Sequence, residues 1–379
     1  SAESDHGERI MNAQTMSRAK RQQTGDRQGT GDPQTLLEIN DLRIWYRTTR
    51  GDAKAVDGVE LVIKRNEIFG LAGESGCGKT TLARGILGMT KLPGFVESGE
   101  AIYYRSVSDT ASMGRDLLTL PAREMRQMRW RHIAYIPQGA MNVLSPVARI
   151  EKQILDAMYE HSDMTKEKAR ARMFECLEMV GLETTVARMY PHELSGGMKQ
   201  RVTIAAAISL KPGLIIADEP TTALDVNVQQ VILQELMDIA KSMGLTLIYV
   251  THDMAVHAEM ADRMGIMYSG LIVEVAPVIE TFKEPLHPYT QGLITSIPSL
   301  GGDRSRMAGI PGNAPSPLAW PSGCRFHPRC PKVMDICRTN VPPMLEVAPG
   351  RLVACHLYPT PISGALPASK QAASEELEQ

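Results

Sequence analysis

The stretch "GESGCGKTT", residues 73–81, follows the apolar run "EIFGLAG" (67–73) and leads into a helical pattern that starts at Lys79. Gly73, four residues, then Gly78, Lys79 and Thr80 is the spacing of a phosphate-binding loop set between a strand and a helix. Glycines let backbone N–H groups close around phosphates, and the helix N-terminus adds a favourable field for the anion. On this reading Gly73, Ser75, Gly76, Cys77, Gly78, Lys79, Thr80 and Thr81 line a nucleotide cradle. Lys79 reaches the β- and γ-phosphates, and Thr80 holds Mg2+ through its hydroxyl. Cys77 is read as a small residue of the loop and not as a metal ligand.

Working outward, further strands are expected at 36–46, which alternates, and at 133–138, 213–220, 245–253 and 263–270. "LIIA" (214–217) and "LIYV" (247–250) are continuous apolar runs, the pattern of strands buried on both faces of a mainly parallel sheet. Helical periodicity lies between them at 149–160, 165–180, 198–209 and 226–243. An α/β domain over 35–284 follows. Residues 1–34 are polar and are expected to be disordered, with a basic run from Arg18 read as a solvated tail. Residues 285–358 are rich in Pro and Gly and read as a small loop-rich module. Residues 359–379 read as a flexible tail.

Lys plus Arg number 41 and Asp plus Glu 43, a balance that argues against a dedicated nucleic-acid binder. No apolar run approaches the ~18 residues that a membrane-spanning helix needs. The start, "SAESDHGERIMNAQ", has no signal-peptide pattern, and a cytoplasmic location is the first expectation.

Three more stretches carry chemistry. In "LIIADEP" (214–220) Asp218 emerges at the end of a strand to join the Mg2+ shell, and Glu219 follows, placed to polarise an attacking water. "LSGGMKQR" (194–201) is a Ser–Gly–Gly turn opening a helix, a second anion-binding N-terminus on a chain that already has one. This last stretch closely resembles the signature of ATP-binding-cassette (ABC) ATPases. The resemblance implies the phosphate-loop NTPase fold of that family, with a RecA-like core, an antiparallel β subdomain and a helical subdomain at about 117–200. It also implies two cassettes paired head to tail around two ATPs, with Ser195, Gly196, Gly197 and Gln200 touching the ATP of the partner. Gln138 in "YIPQ" resembles the Q-loop glutamine, near the Mg2+ site. Asp225 in "TALD" resembles the D-loop residue at the dimer seam, and His252 in "YVTHD" the switch histidine at the γ-phosphate. Glu219, His252 and Gln138 would be catalytic. Tyr46 is placed like the aromatic that stacks on adenine, with Trp45 as its neighbour.

Within that family the chain resembles the oligopeptide/dipeptide/nickel importer ATPases. "AVDGVELVI" (55–63), the Asn-x-Leu-x-Pro version of the Q-loop segment in "QGAMNVLSPVARI" (138–150), and "PLHPYTQGLITSIP" (285–298) followed by "GCRFHPRCP" (323–331) carry the likeness. It implies an ATPase subunit, peripheral on the cytoplasmic face of the inner membrane, that powers solute import. Its partners would be a second ABC ATPase in a heterodimer, two transmembrane permease subunits contacted near 139–150, and an extracytoplasmic solute-binding protein. Peptides are the expected cargo, with oligosaccharides, nickel or opines as alternatives. A soluble cassette ATPase of translation or DNA repair is the reading from another class. The single cassette and the lack of heptad runs count against it.

Cys324, Cys330, Cys337 and Cys355 are separated by five, six and seventeen residues. That spacing is looser than common zinc knuckles and compact ferredoxin motifs. A small module with little core can draw folding free energy from a metal, and Arg325, Arg329 and Arg338 lie among the thiols. Unpaired cysteines, a zinc site helped by His327 or His356, and an iron–sulfur cluster all remain open on spacing alone. The resemblance implies a [4Fe-4S] cluster on the four cysteines, with Zn2+ as the alternative.

Overall fold

The computed structural model describes residues 32–106, 114–139, 143–222, 224–296 and 309–358. The expected disordered stretch before 32, its basic run, the tail beyond 358 and Asn142 of the Q-loop segment lie outside the described residues.

The core is an 8-stranded sheet. Its parallel part comprises β3 (Ile68–Ala72), β6 (Ile133–Ile136), β7 (Leu214–Asp218), β8 (Thr246–Val250) and β9 (Arg263–Tyr268). Every residue of β3, β7 and β8 is buried. Their apolar runs follow from this, since both faces of the sheet are covered. On one face sits a four-stranded antiparallel sheet, β2-β1-β4-β5, made of β1 (Thr35–Thr48), β2 (Gly51–Lys64), β4 (Gly94–Tyr103) and β5 (Arg115–Asp116). Helix α1 (Lys79–Ile86) is wedged between the sheets, with Leu82 and Ile86 against Phe69, Ile216 and Ile248. Beyond β5, the short helix α2 (Ala122–Met128) adds Met125 and Met128 to this layer.

The other face carries α3 (Ile150–His161), α4 (Lys166–Met179), α5 (Gly196–Ile208) and α6 (Val226–Met243), whose apolar stripes meet Ile215, Ala217, Leu247 and Tyr249. Among the described residues no helix is long and apolar enough to cross a membrane.

After β9 the chain turns back as β10 (Leu271–Pro277), antiparallel to β9. Helices α7 (Met254–Met260), α8 (Val278–Lys283) and α9 (Pro288–Thr295) flank this end of the sheet. The segment expected to be a loop-rich module carries a few short elements among its loops. It holds a 3-10 turn at His327–Arg329, helix α10 (Asp335–Thr339) and a hairpin, β11 (Leu345–Ala348) and β12 (Arg351–Val353). Strand β12 pairs with β10, Glu274 opposite Val353, so the segment continues the core sheet. The physical reason is the free edge of β10, whose unpaired N–H and C=O groups are satisfied by a short added hairpin.

Candidate functional site

The loop between β3 and α1 reaches the helix through glycines that a side chain would block. Gly78 has φ +115°, and a Cβ there would run into the Ala55 carbonyl. Lys79 is folded back along the loop, its ammonium donating to the carbonyls of Gly73 (2.7 Å) and Glu74 (3.1 Å). Burial pushes the Cys77 thiol above its ordinary pKa, partly offset by Lys79. Cys77 is therefore a protonated, space-filling residue of the loop.

Thr80 lies in the first turn of α1 and its hydroxyl donates to Asp218 Oδ1 at 3.0 Å. Tyr135 from β6 donates to the other oxygen at 2.9 Å, and Arg84 from α1 approaches the Tyr135 hydroxyl at 3.4 Å. Burial raises the pKa of Asp218, and the bonds from Tyr135 and Thr80 work against that rise. A cation seated here would offset the same burial.

Glu219 follows β7 with φ +47°, a left-handed backbone that is uncommon for a residue with a side chain and that clusters at functional sites. Gln138 Nε2 donates to Glu219 Oε2 at 2.8 Å, the Thr222 hydroxyl to the same oxygen at 3.1 Å, and His252 Nδ1 lies 2.9 Å from Oε1. The structure thus brings Gln138, Glu219 and His252 together at the C-terminal ends of neighbouring strands. A carboxylate held on both oxygens, with a half-exposed imidazole alongside, can polarise a water and shuttle its proton.

Tyr46 and Trp45 point to opposite faces of β1. The Tyr46 hydroxyl lies 3.3 Å from that of Thr81, whereas Trp45 donates to Asp57 and packs edge-on against Phe95. Ser195 caps α5, accepting from Met198 N at 3.3 Å, and Asp225 caps α6, accepting from Val228 N at 3.0 Å. Ser195 is exposed, with Gly196 and Gly197 half-buried beside it. Gln200 departs from the expectation that it touches a second nucleotide. It is 3% exposed, packed with the inward face of α5, and its amide nitrogen finds no partner. Sequence reasoning missed Tyr135 and Arg84. Tyr135, the one polar side chain in "IAYI" beside β7, was the available signal.

The four cysteines come within electrostatic reach of one another. Burial and the charges of Cys324, Cys330 and Cys337 push the Cys355 thiol up to about 11. Cys324 and Cys330 are also raised, chiefly by burial. The donor set is one that a thiolate-bound metal takes, but the arrangement is not. Among the described residues no group of three or more His, Cys, Asp or Glu side chains is placed to hold a metal ion. The arrangement of these thiols therefore lends no support to the expected [4Fe-4S] or Zn2+ site. Cys324 N is tied to the Cys337 carbonyl at 2.8 Å, and the candidate substitutes His327 and His356 are bonded to the carbonyls of Cys324 and Asn340.

Comparison with known proteins bears on this geometry. The family described as "ABC transporter" matches residues 56–222, and "Oligopeptide/dipeptide transporter, C-terminal region" matches 273–337. The chain is 42% identical to "Oligopeptide transport ATP-binding protein AppD" of Bacillus subtilis over 326 residues, 86% of this chain and 97% of the relative. It is 43% identical to "Dipeptide transport ATP-binding protein DppD" of Caldanaerobacter subterraneus, over 85% of this chain and 97% of the relative. Among solved structures, a dimeric post-hydrolysis state of the cassette MJ0796 bound to ADP and Pi aligns with a TM-score of 0.56 at 28% identity. That match covers 64% of this chain and 99% of the cassette. CbiO1 from Clostridium perfringens aligns with a TM-score of 0.55 at 25% identity, covering 66% of this chain and 92% of that one. The chain belongs to the ATP-binding subunits of ABC transporters, in the group that carries the oligopeptide/dipeptide transporter C-terminal region.

Proposed function

We propose that the chain hydrolyses ATP to drive the uptake of oligopeptides or dipeptides through a membrane transporter. The observation that carries the hydrolytic part is the Glu219 carboxylate, held between Gln138 and His252 at 2.8 and 2.9 Å beside the phosphate-binding loop. The cargo assignment is supported by relatives named for oligopeptide and dipeptide transport, matched over nearly their whole length.

In the proposed reaction the triphosphate of ATP lies against the loop amides from Gly73 to Thr81, and Lys79 turns from the loop carbonyls to the β- and γ-phosphates. Tyr46 stacks on the adenine. Thr80 and Asp218 would hold Mg2+, with Gln138 beside them, and the ion would supply charge that offsets that of the phosphates. Glu219 takes a proton from the attacking water, and His252 steadies the γ-phosphate. Ser195, Gly196 and Gly197 face the ATP of a second cassette, and Asp225 lies at the seam. The dimeric cassette bound to ADP and Pi supports such pairing. Residues 35–284 act as the ATPase domain and 285–358 as its extension.

The proposed partners are a different ATPase subunit in a heterodimer, two permease subunits and an extracytoplasmic solute-binding protein, with the chain peripheral on the cytoplasmic face. In the segment that follows Gln138, Val143 is 53% and Val147 85% exposed, apolar side chains available to a permease helix. A [4Fe-4S] cluster on Cys324, Cys330, Cys337 and Cys355 is proposed on the donor set alone. About four irons per chain would support it, and a chain free of iron would remove it.

The test of cargo is uptake. Cells carrying Lys79→Ala should lose ATP-dependent accumulation of a labelled tripeptide while the protein remains abundant. Intact peptide uptake with loss of oligosaccharide, nickel or opine uptake would overturn the peptide assignment.

A further inference from the structure

Glu74, the second residue of the phosphate-binding loop, is held at each of its polar groups. Its carbonyl accepts from Lys79 at 3.1 Å, within the loop. Its amide donates to the Tyr289 hydroxyl at 2.8 Å. Its carboxylate takes a two-pronged grip from Arg329, Nη1 to Oε2 at 2.8 Å and Nη2 to Oε1 at 2.9 Å. Tyr289 and Arg329 both belong to the C-terminal extension, more than two hundred residues from the loop.

Both holders are fixed from behind. The Arg329 side chain is only 5% exposed, and its remaining donors bond the carbonyls of Ile310 and Pro311. The Tyr289 ring lies against Tyr268, with centroids 4.5 Å apart, and against Phe326 of the cysteine-flanked turn, at 5.5 Å. The backbone that carries Tyr289 is set by its own motif. The Tyr289 amide donates to His287 Nδ1 at 3.0 Å, and the amides of Leu286 and His287 donate to the buried carboxylate of Glu274. "HPY" is thus a device that presents one hydroxyl to the phosphate loop.

We propose that Arg329 and Tyr289 are positioning residues for the phosphate-binding loop, so that the C-terminal extension completes the ATP site of its own chain. The proposal rests on the ATPase reading above. Neither residue touches the nucleotide. Tyr289 orients a loop amide, and Arg329 both anchors Glu74 and cancels a negative charge on a loop that must receive a polyanion. A bidentate guanidinium–carboxylate pair suits this task because it fixes direction as well as charge. The extension has a separate tie to the core, Arg325 to Asp57 at 2.6 Å, so loss of the Arg329 pair leaves it docked.

The test uses the full-length chain, purified with the subunits that accompany it, and measures kcat and KM for ATP. Arg329→Ala should raise KM about tenfold, with kcat changed less than about twofold, the effect expected for a lost charge-assisted pair. Arg329→Lys should recover part of the affinity, since it keeps the charge but not the fork. Tyr289→Phe, which keeps the ring packing, should raise KM by roughly threefold. Adding Glu74→Gln to Arg329→Ala should bring KM back toward wild type, because the uncompensated carboxylate is gone. A merely structural brace would not show that rescue. Arg338→Ala, an exposed arginine of the same segment, serves as the control. Unchanged KM in Arg329→Ala and Tyr289→Phe, or kcat and KM worsening together without rescue by Glu74→Gln, would overturn the inference alone. Wild-type protein that fails to bind ATP would overturn this inference and the ATPase reading together.

Discussion

Gly78 shows how tightly the phosphate-binding loop constrains single residues. Its φ of +115° and the Ala55 backbone carbonyl, which a Cβ would strike, leave no room for a side chain; the Met267 methyl beside it could move, but that backbone carbonyl could not. Gly78→Ala should cost on the order of 1–3 kcal/mol of stability and abolish ATP binding. A denaturation midpoint and a nucleotide titration check this, and wild-type values for both would contradict it. Such residues were legible because the chemistry fixes type and spacing within a few positions: Gly78, Lys79 and Thr80 in one motif, Asp218 and Glu219 in another. Partners far apart in sequence leave no local mark. Nothing near Glu74 announces Arg329, and nothing in "GLIIADEP" announces that Tyr135 holds Asp218. Gln200 was misjudged for a different reason. It shares a helix face with Ile204 and Ile208, four and eight residues on, and that face is buried. The helical period applied inside the motif would have turned it inward.

Ser195 sits where an element begins and a function is proposed. As the cap of α5 it satisfies the Met198 amide, and the same hydroxyl is proposed to meet the ATP of a paired cassette. Ser195→Ala should destabilise the fold by about 1 kcal/mol. Ser195→Asp keeps a capping oxygen but places a charge where phosphate is expected, so stability should hold while ATP hydrolysis falls sharply. Thermal midpoints and phosphate release separate the two effects, and full activity in Ser195→Asp would contradict the proposed role. At this scale the long helices were legible, while the short ones, such as α2, α7, α8 and α9, were not. The pattern at 226–243 is α6, and 165–180 contains Lys166–Met179, because long apolar stripes and a capping Asp or Thr mark their ends. Strand β4 was not seen, since "GFVESGEAIY" interrupts its alternation with Gly99 and charges. The β11–β12 hairpin was missed too. Its strands are short, divided by Pro349 and Gly350, and owe their conformation to the edge of β10 and not to their own propensity.

Across the whole molecule, the parallel core was legible because buried strands must be continuously apolar, and the loop, Asp218–Glu219 and the Ser–Gly–Gly turn identify its use. The extension was legible in composition but not in attachment. It reads as a loose module, yet it lengthens the core sheet and reaches the phosphate-binding loop through Tyr289 and Arg329. Those links are tertiary pairings between distant segments, which periodicity and composition do not encode. The central claim is that this assembly hydrolyses ATP at Glu219. The most direct measurement is Mg2+-dependent phosphate release by the full-length chain, purified with the subunits that accompany it, compared with Glu219→Gln. Wild type should turn over ATP, and Glu219→Gln should bind ATP as tightly while releasing phosphate at least about a hundredfold more slowly. Equal rates in the two proteins, or no turnover in wild type, would contradict the account.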